Sequence, residues 1–247
     1  MTYAYDLLNR LQSASTTAGP SPWGQSYAYD GFGNLTDQNV TQGTAPTLHV
    51  TVSASTNRVN GVSYDANGND LTYGTYDVEN RLIQAGVVQY GYAPNNKRVW
   101  KSPDGTAANQ EFYFYAPNGQ RLGTYKSTSP GTNAFTTAST NVYFGGRLIQ
   151  ATGTAILTDR LGSNVTGGKR YFPYGQEKPS ATTNNIEKFT GYFRDVETGL
   201  DYADQRYHQP GVGRFLTPDP YAASGGPADP YRSSAGPSDP DSWNRYA

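Results

Sequence analysis

The chain has 247 residues and a formal net charge of −1, from 19 Lys+Arg against 20 Asp+Glu, with no Cys and two His. The length allows one large β domain or two ordinary domains, and the charge balance argues against nucleic acid or an anionic membrane as the main partner. Absence of Cys excludes disulfides, thiol nucleophiles and Cys-ligated zinc; His49 and His208 lie too far apart in sequence to suggest a metal cage, no cofactor motif is present, and no apolar run approaches the about 18 residues of a membrane span.

Met1 leads at once into a patterned segment, which predicts no signal peptide. Tyr3-Ala4-Tyr5-Asp6 runs through Asn9-Arg10 to Leu11, and the pattern recurs from Tyr27-Ala28-Tyr29-Asp30 through Gly33-Asn34 to Leu35. It returns from Tyr64-Asp65 through Gly68-Asn69 to Leu71, with one residue extra, and from Tyr76-Asp77 through Asn80-Arg81 to Leu82. Weaker copies run from Tyr90 to Val99 and from Phe114 to Leu122. Alternating aromatic residues predict strands, and Gly, Asn and Asp close behind them predict hairpin turns. The rings of Tyr3, Tyr5, Tyr27, Tyr29, Tyr64 and Tyr76 are expected on a core face. The carboxylates of Asp6, Asp30, Asp65 and Asp77 are expected to open turns by accepting backbone N–H groups two residues on. Gly or Asn three residues after the Asp supplies a position with φ > 0, and the following Leu returns to the core. These ten residues are read as structural.

Residues 36–47, 102–108 and 127–140 are rich in Thr, Ser, Gly, Ala and Asn and read as surface loops or weak strands. His49 falls in an alternating strand at 49–52. The pattern then changes: residues 189–194 and 200–207 read as two alternating strands joined by a turn at 195–199. Gly211 and Gly213 flank Val212 in a sharp turn before Arg214, and residues 225–240 read as an irregular Pro/Gly-rich loop. The fold class expected is all-β: antiparallel hairpins, roughly a dozen to sixteen short strands, forming a curved or spiralling sheet strip. Residues 1–152 form the repeat part and 153–247 a second segment.

Tyr-x-Tyr-Asp-x-x-Gly-Asn/Arg-Leu resembles the repeat of the RHS/YD-repeat family, which includes bacterial polymorphic toxins, the C component of insecticidal toxin complexes and the teneurins. Asp159-Arg160-Leu161-Gly162-Ser163, Tyr171-Phe172-Pro173-Tyr174-Gly175, the run from Phe189 to Pro220 and the block from Ser242 to Ala247 resemble that family's RHS-repeat-associated core signature. The resemblance implies a β shell, in toxins enclosing a C-terminal effector, on a secreted or cell-surface protein. It also implies an aspartyl autoprotease in which Asp219 is one carboxylate of a pair and Arg214 a nearby polariser, since two close carboxylates sharing a proton can act as base and acid. The block carrying the second aspartate is not found: Asp229 and Asp239 precede Pro but lack its remaining residues.

Three readings follow. The first is a non-catalytic scaffold, an RHS shell segment whose partners are the rest of the shell, an enclosed toxin, a cell-surface receptor, or other copies joined through sheet edges. The second is the self-cleaving end of a toxin shell. The third is a carbohydrate or surface-binding module using exposed rings such as Trp23 and Trp100. No Gly-x-Ser-x-Gly elbow and no strand–loop–helix phosphate cradle occurs.

Overall fold

The computed structural model describes residues 1–19, 21–127, 134–178, 182 and 184–219. The 225–240 loop, the block from Ser242, and Asp229 and Asp239 lie outside them. Among the described residues, twenty-one strands and two one-turn 3-10 segments make up the regular structure, so the fold is all-β, with more strands than the sequence reading counted. Their shortness explains the difference: eight of them have only two residues.

The reversals between strands share one construction. Asp6 N–H donates to Arg10 O (2.9 Å) and Asn9 N–H to Asp6 O (3.0 Å); the same pair of bonds joins Asp30 to Asn34 and Gly33, Asp65 to Asn69 and Gly68, and Asp77 to Arg81 and Asn80. The fourth residue is left-handed each time, with φ of 60° at Asn9, 79° at Gly33, 92° at Gly68 and 62° at Asn80. A three-residue loop with such a residue forms a bulge where it rejoins the ladder, and the register shifts there, between Ala4 and Tyr5 and between Ala28 and Tyr29. One oxygen of each Asp carboxylate accepts turn amides. Asp30 Oδ1 takes Phe32 N–H and Asn34 N–H, both at 2.9 Å, while Oδ2 takes Asn34 Nδ2 at 2.8 Å. In the Asp6 and Asp77 copies Oδ2 takes the Nε of Arg10 or Arg81 instead (2.8 and 2.7 Å). Asp6, Asp30 and Asp77 accept the N–H two residues on, and all four aspartates accept the N–H four residues on.

The chain divides into two compact units. The first comprises residues 1–72, 171–180 and 209 onward. Its five-stranded sheet runs in chain order through β1 (Thr2–Tyr5), β2 (Leu11–Thr16), β3 (Trp23–Tyr29), β4 (Leu35–Gly43) and β5 (Leu48–His49). Ala14, Trp23, Tyr27, Leu35 and Phe172 form its core, with Tyr29 and Tyr174 half-buried against them. Trp23 meets Phe172 edge-on at 4.9 Å and is 1% exposed. The expectation of an exposed Trp23 ring is therefore corrected: Trp23 is sealed on the inner face of β3. Edge strand β1 leaves Tyr3 and Tyr5 exposed, against the expectation that they face a core. The stretch expected as loop or weak strand at 36–47 is mostly the nine-residue β4.

The second unit comprises residues 73–170 and 181–208. Nine strands pair strictly in chain order: β6 (Thr75–Tyr76), β7 (Leu82–Ala85), β8 (Val88–Tyr92), β9 (Arg98–Ser102), β10 (Glu111–Tyr115), β11 (Arg121–Ser127), β12 (Phe135–Phe144), β13 (Arg147–Ala151) and β14 (Thr154–Ala155). β15 (Arg170–Tyr171) pairs with β16 (Glu177–Lys178) in a separate ribbon. A second ladder in this unit joins β17 (Ile186–Glu187), β18 (Phe193–Arg194), β19 (Asp201–Ala203) and β20 (Arg206–Gln209); β21 (Arg214–Phe215) belongs to the first unit. The strand expected at 189–194 is a 3-10 turn, Phe189–Gly191, followed by the short β18. The single strand expected at 200–207 is two, folded at Asp204, whose φ is 71°. The turn at 195–199 is as read: Gly199, at φ 70°, donates to Asp195 O at 3.0 Å.

Candidate functional site

The core of the second unit sets buried ions and rings beside the aliphatic side chains of Leu82, Val88 and Leu200. β9 carries Arg98 and Lys101, β10 places Glu111 directly opposite Lys101, and the turn after β18 supplies Asp195 and Glu197. Arg98 grips Asp195 with both arms, Nη1–Oδ2 2.6 Å and Nη2–Oδ1 3.0 Å, and Nη1 also donates to the Tyr207 hydroxyl at 2.9 Å. The guanidinium lies over five rings, at 4.5 Å from Tyr202, 4.8 Å from Tyr113, 5.3 Å from Tyr90, 5.4 Å from Phe193 and 5.9 Å from Tyr207. Fork-to-fork geometry and ring faces are what let such an ion leave water. Burial by itself would lower the guanidinium's pKa, but the Asp195 carboxylate more than offsets it and holds Arg98 well above its ordinary value.

Lys101 has no solvent exposure and stands 3.0 Å from Glu197 Oε2, 3.2 Å from Glu111 Oε2 and 3.5 Å from Asp195 Oδ1. Lys126 reaches the other oxygen of Glu111 at 3.1 Å, and the Tyr113 hydroxyl donates to Glu111 at 2.7 Å. Burial pushes the Glu111 carboxyl up, yet the Lys101 charge and these hydrogen bonds leave it below the usual carboxylate range. Desolvation pushes the Tyr113 and Tyr207 hydroxyls well above theirs, so they remain donors at neutral pH. Arg98, Lys101 and the partly exposed Lys126 together balance Asp195, Glu111 and Glu197, and buried charges need such pairing.

Two further pairs flank it. Arg121 bonds Glu187, which also accepts from Asn141 Nδ2 at 3.0 Å, and Arg194 holds Asp201 through two bonds of 2.7 and 2.8 Å. A cavity of about 270 Å³ opens beside Arg98 and the Arg121–Glu187 pair, lined also by Tyr113 and Tyr202. On the opposite face of β10, Phe112 and Phe114 alternate with the buried Tyr113, and with Leu122, Tyr125 and Phe135 they line an open apolar groove of about 550 Å³.

The two residues singled out for self-cleavage both fall in the first unit. Arg214 is buried in β21, its guanidinium donating to Asn34 Oδ1 and to Asn57 O (3.1 Å). Asp70 N–H donates to Leu216 O at 2.9 Å, so this segment lies along the loops of the sheet. Asp219 is half-buried at the end of the described chain. The repeat residues do not converge: Asp6, Asp30, Asp65 and Asp77 each serve their own reversal. Tyr29 shares a 2.5 Å hydrogen bond with Tyr174, Tyr64 forms an isolated bridge with Asp70, and Tyr76 sits half-buried in β6. His49 is exposed and bonds Asp37 at 2.7 Å.

Sequence reasoning missed Arg98, Lys101 and Glu111 and read Asp195 and Glu197 only as turn residues. The available signal was charge inside aromatic strands: Arg98 and Lys101 bracket Val99-Trp100, and Glu111 lies two places before Tyr113, on its face. Among the described residues no group of three or more His, Cys, Asp and Glu is placed to hold a metal ion, and no helix is long and apolar enough to cross a membrane.

No family model matches the sequence. The chain is 27% identical over 233 residues to the tRNA3(Ser)-specific nuclease WapA of Bacillus spizizenii, spanning 81% of this chain and 10% of that protein. It is 29% identical over 206 residues to the "Probable deoxyribonuclease RhsB" of Dickeya dadantii, spanning 64% of this chain and 14% of that protein. Among solved structures, a chain of the Photorhabdus luminescens Tc holotoxin pore matches with a TM-score of 0.63 at 21% identity, covering 99% of this chain and 14% of that one. A TcdB2–TccC3 complex matches with a TM-score of 0.59 at 20% identity, covering 89% of this chain and 14% of that one. The chain thus spans only 10% to 14% of the proteins it resembles. It is similar in sequence to proteins of the Rhs and WapA kind and shares an antiparallel all-β fold with Tc toxin chains.

Proposed function

We propose that the chain is a wall segment of an RHS shell and that its role is non-catalytic: to hold another polypeptide against an apolar sheet face. One observation carries this reading. Within the nine-stranded sheet, β8 to β11 seal one face with buried ions and rings, while on the other face β10 to β12 keep the groove of Phe112, Phe114, Leu122, Tyr125 and Phe135 open. Exposed apolar surface of this kind marks a place where another chain sits. The likeness to Tc toxin chains and to Rhs and WapA proteins supports a shell, and a secreted or cell-surface setting goes with it. The test is binding of a permanently unfolded probe, reduced and carboxymethylated α-lactalbumin, followed by fluorescence anisotropy. Saturable binding that Phe114→Asp abolishes while strand content is kept supports the proposal; no binding by the wild type refutes it.

The placement of β21 favours a second reading. Arg214 anchors the segment to Asn34 and Asn57, which steadies the chain leading to Asp219. Self-cleavage would use Asp219 with a further carboxylate. The wild-type protein would then yield two fragments, and its Asp219→Asn variant one. An uncleaved wild type refutes this reading.

A further inference from the structure

The surroundings of Lys101 contain, besides three carboxylates, a side-chain amide. Lys101 Nζ lies 3.3 Å from Asn185 Oδ1, and Val196 N–H donates to the same oxygen at 3.1 Å. Because a backbone N–H can bond only an acceptor, it is the amide carbonyl of Asn185, not its NH2, that faces Lys101. The backbone of Asn185 is itself held, its N–H donating to Arg194 O at 2.7 Å and its φ at 59°. A buried amine thus faces a fixed amide whose carbonyl oxygen already has a donor aimed at it, the arrangement that stabilises a tetrahedral adduct.

The carboxylates complete the set. Asp195 is taken by the two arms of Arg98, and Glu111 by Lys126 and the Tyr113 hydroxyl. Glu197 has Lys101 as its ion partner, at 3.0 and 3.2 Å through its two oxygens. It is the carboxylate placed to take a proton from the ammonium and hand it on.

We propose that Lys101 and Asn185 form an intramolecular isopeptide bond, with Glu197 as proton carrier. Glu197 accepts a proton from the Lys101 ammonium, and the freed amine attacks Cγ of Asn185. The charge developing on Oδ1 is met by Val196 N–H. Glu197 passes the proton it took to Nδ2, the Cγ–Nδ2 bond breaks and ammonia leaves. Glu197 then takes the second proton from Nζ, leaving a neutral amide, and hands it to the departing ammonia, which goes as ammonium. One amide replaces another, so the step is redox-neutral and consumes nothing beyond the two side chains. The product ties β9 to the segment preceding β17, which are far apart in sequence and adjacent in this unit.

The experiment is intact-mass spectrometry of the folded full chain, followed by digestion and fragmentation. The expected result is a mass lower than the sequence mass by one ammonia, and a branched peptide joining Lys101 to Asn185. Lys101→Arg, Asn185→Ala and Glu197→Gln should each restore the full mass. Glu197→Gln leaves Lys101 facing Glu111 and Asp195, so circular dichroism confirms that this variant is folded when its mass is read. A folded wild type that keeps its full mass after prolonged incubation overturns the proposal. So does an ammonia loss that maps to Asn60, Asn67 or Asn118, each followed by Gly, where succinimide formation would account for it.

Discussion

Replacing Asp195 with Asn keeps the shape of the side chain and removes its charge. Arg98 is 1% exposed and Asp195 is fully buried, so the guanidinium would lose its counter-charge with no water to take its place. Removing one partner of a buried ion pair costs about 3–5 kcal/mol. Domains are stable by only about 5–15 kcal/mol, so the loss is a large fraction of the whole. At about 2–4 °C per kcal/mol for a chain of this size, it lowers the melting temperature by about 6–20 °C. The assay is urea unfolding followed by far-ultraviolet circular dichroism, with the midpoint compared between wild type and Asp195→Asn at neutral pH. The double variant Arg98→Met with Asp195→Leu should recover part of the loss, because an apolar pair needs no counter-charge. A destabilisation below about 1 kcal/mol for Asp195→Asn, the range of a solvent-exposed pair, would refute the claim that the Arg98 cluster is a dry, charge-balanced core.

Three further predictions use other parts of the structure. Gly162 has φ 86° and only ordinary van der Waals contacts around a would-be Cβ, so Gly162→Ala should cost about 1–2 kcal/mol from backbone conformation alone, read as a shifted urea midpoint. Trp23→Ala should cost about 3–5 kcal/mol by opening a cavity beside Phe172, with cooperativity of the first unit as the readout; a change under 1 kcal/mol would mean the ring is not packed. The hydroxyls of Tyr90, Tyr113, Tyr202 and Tyr207 are raised above the ordinary Tyr value, chiefly by burial. Their contribution is therefore complete below about pH 10 and is lost as pH rises, because only the unfolded chain ionises; each costs about 1.4 kcal/mol at pH 11. Denaturant midpoints that stay flat from pH 9 to 11 would contradict this.

The reversals show how far local sequence reaches. An Asp before the turn, Gly or Asn at the fourth position and Arg or Asn at the fifth are enough to build the loop, since every bond in it joins residues at most four apart. For that reason the antiparallel, chain-ordered hairpins were legible, and so was the turn at Gly199. Where a motif depended on what packed against it, the reading failed. Tyr3 and Tyr5 carry the same pattern as Tyr27 and Tyr29, yet they lie on an edge strand and stay exposed. Trp23 was read as a surface ring because nothing nearby in sequence announces Phe172, on the other side of its core.

The sequence by itself determined an all-β chain, the place of its turns and its RHS resemblance, because turn chemistry and strand alternation act over a few residues. The tertiary structure alone decided that Arg98 meets Asp195, 97 residues away, and that Lys101 faces Asn185, 84 residues away. Charged side chains near aromatic strands look like surface residues until folding removes the water, and only then must each find its counter-charge; which one it finds is set by the pairing of distant strands.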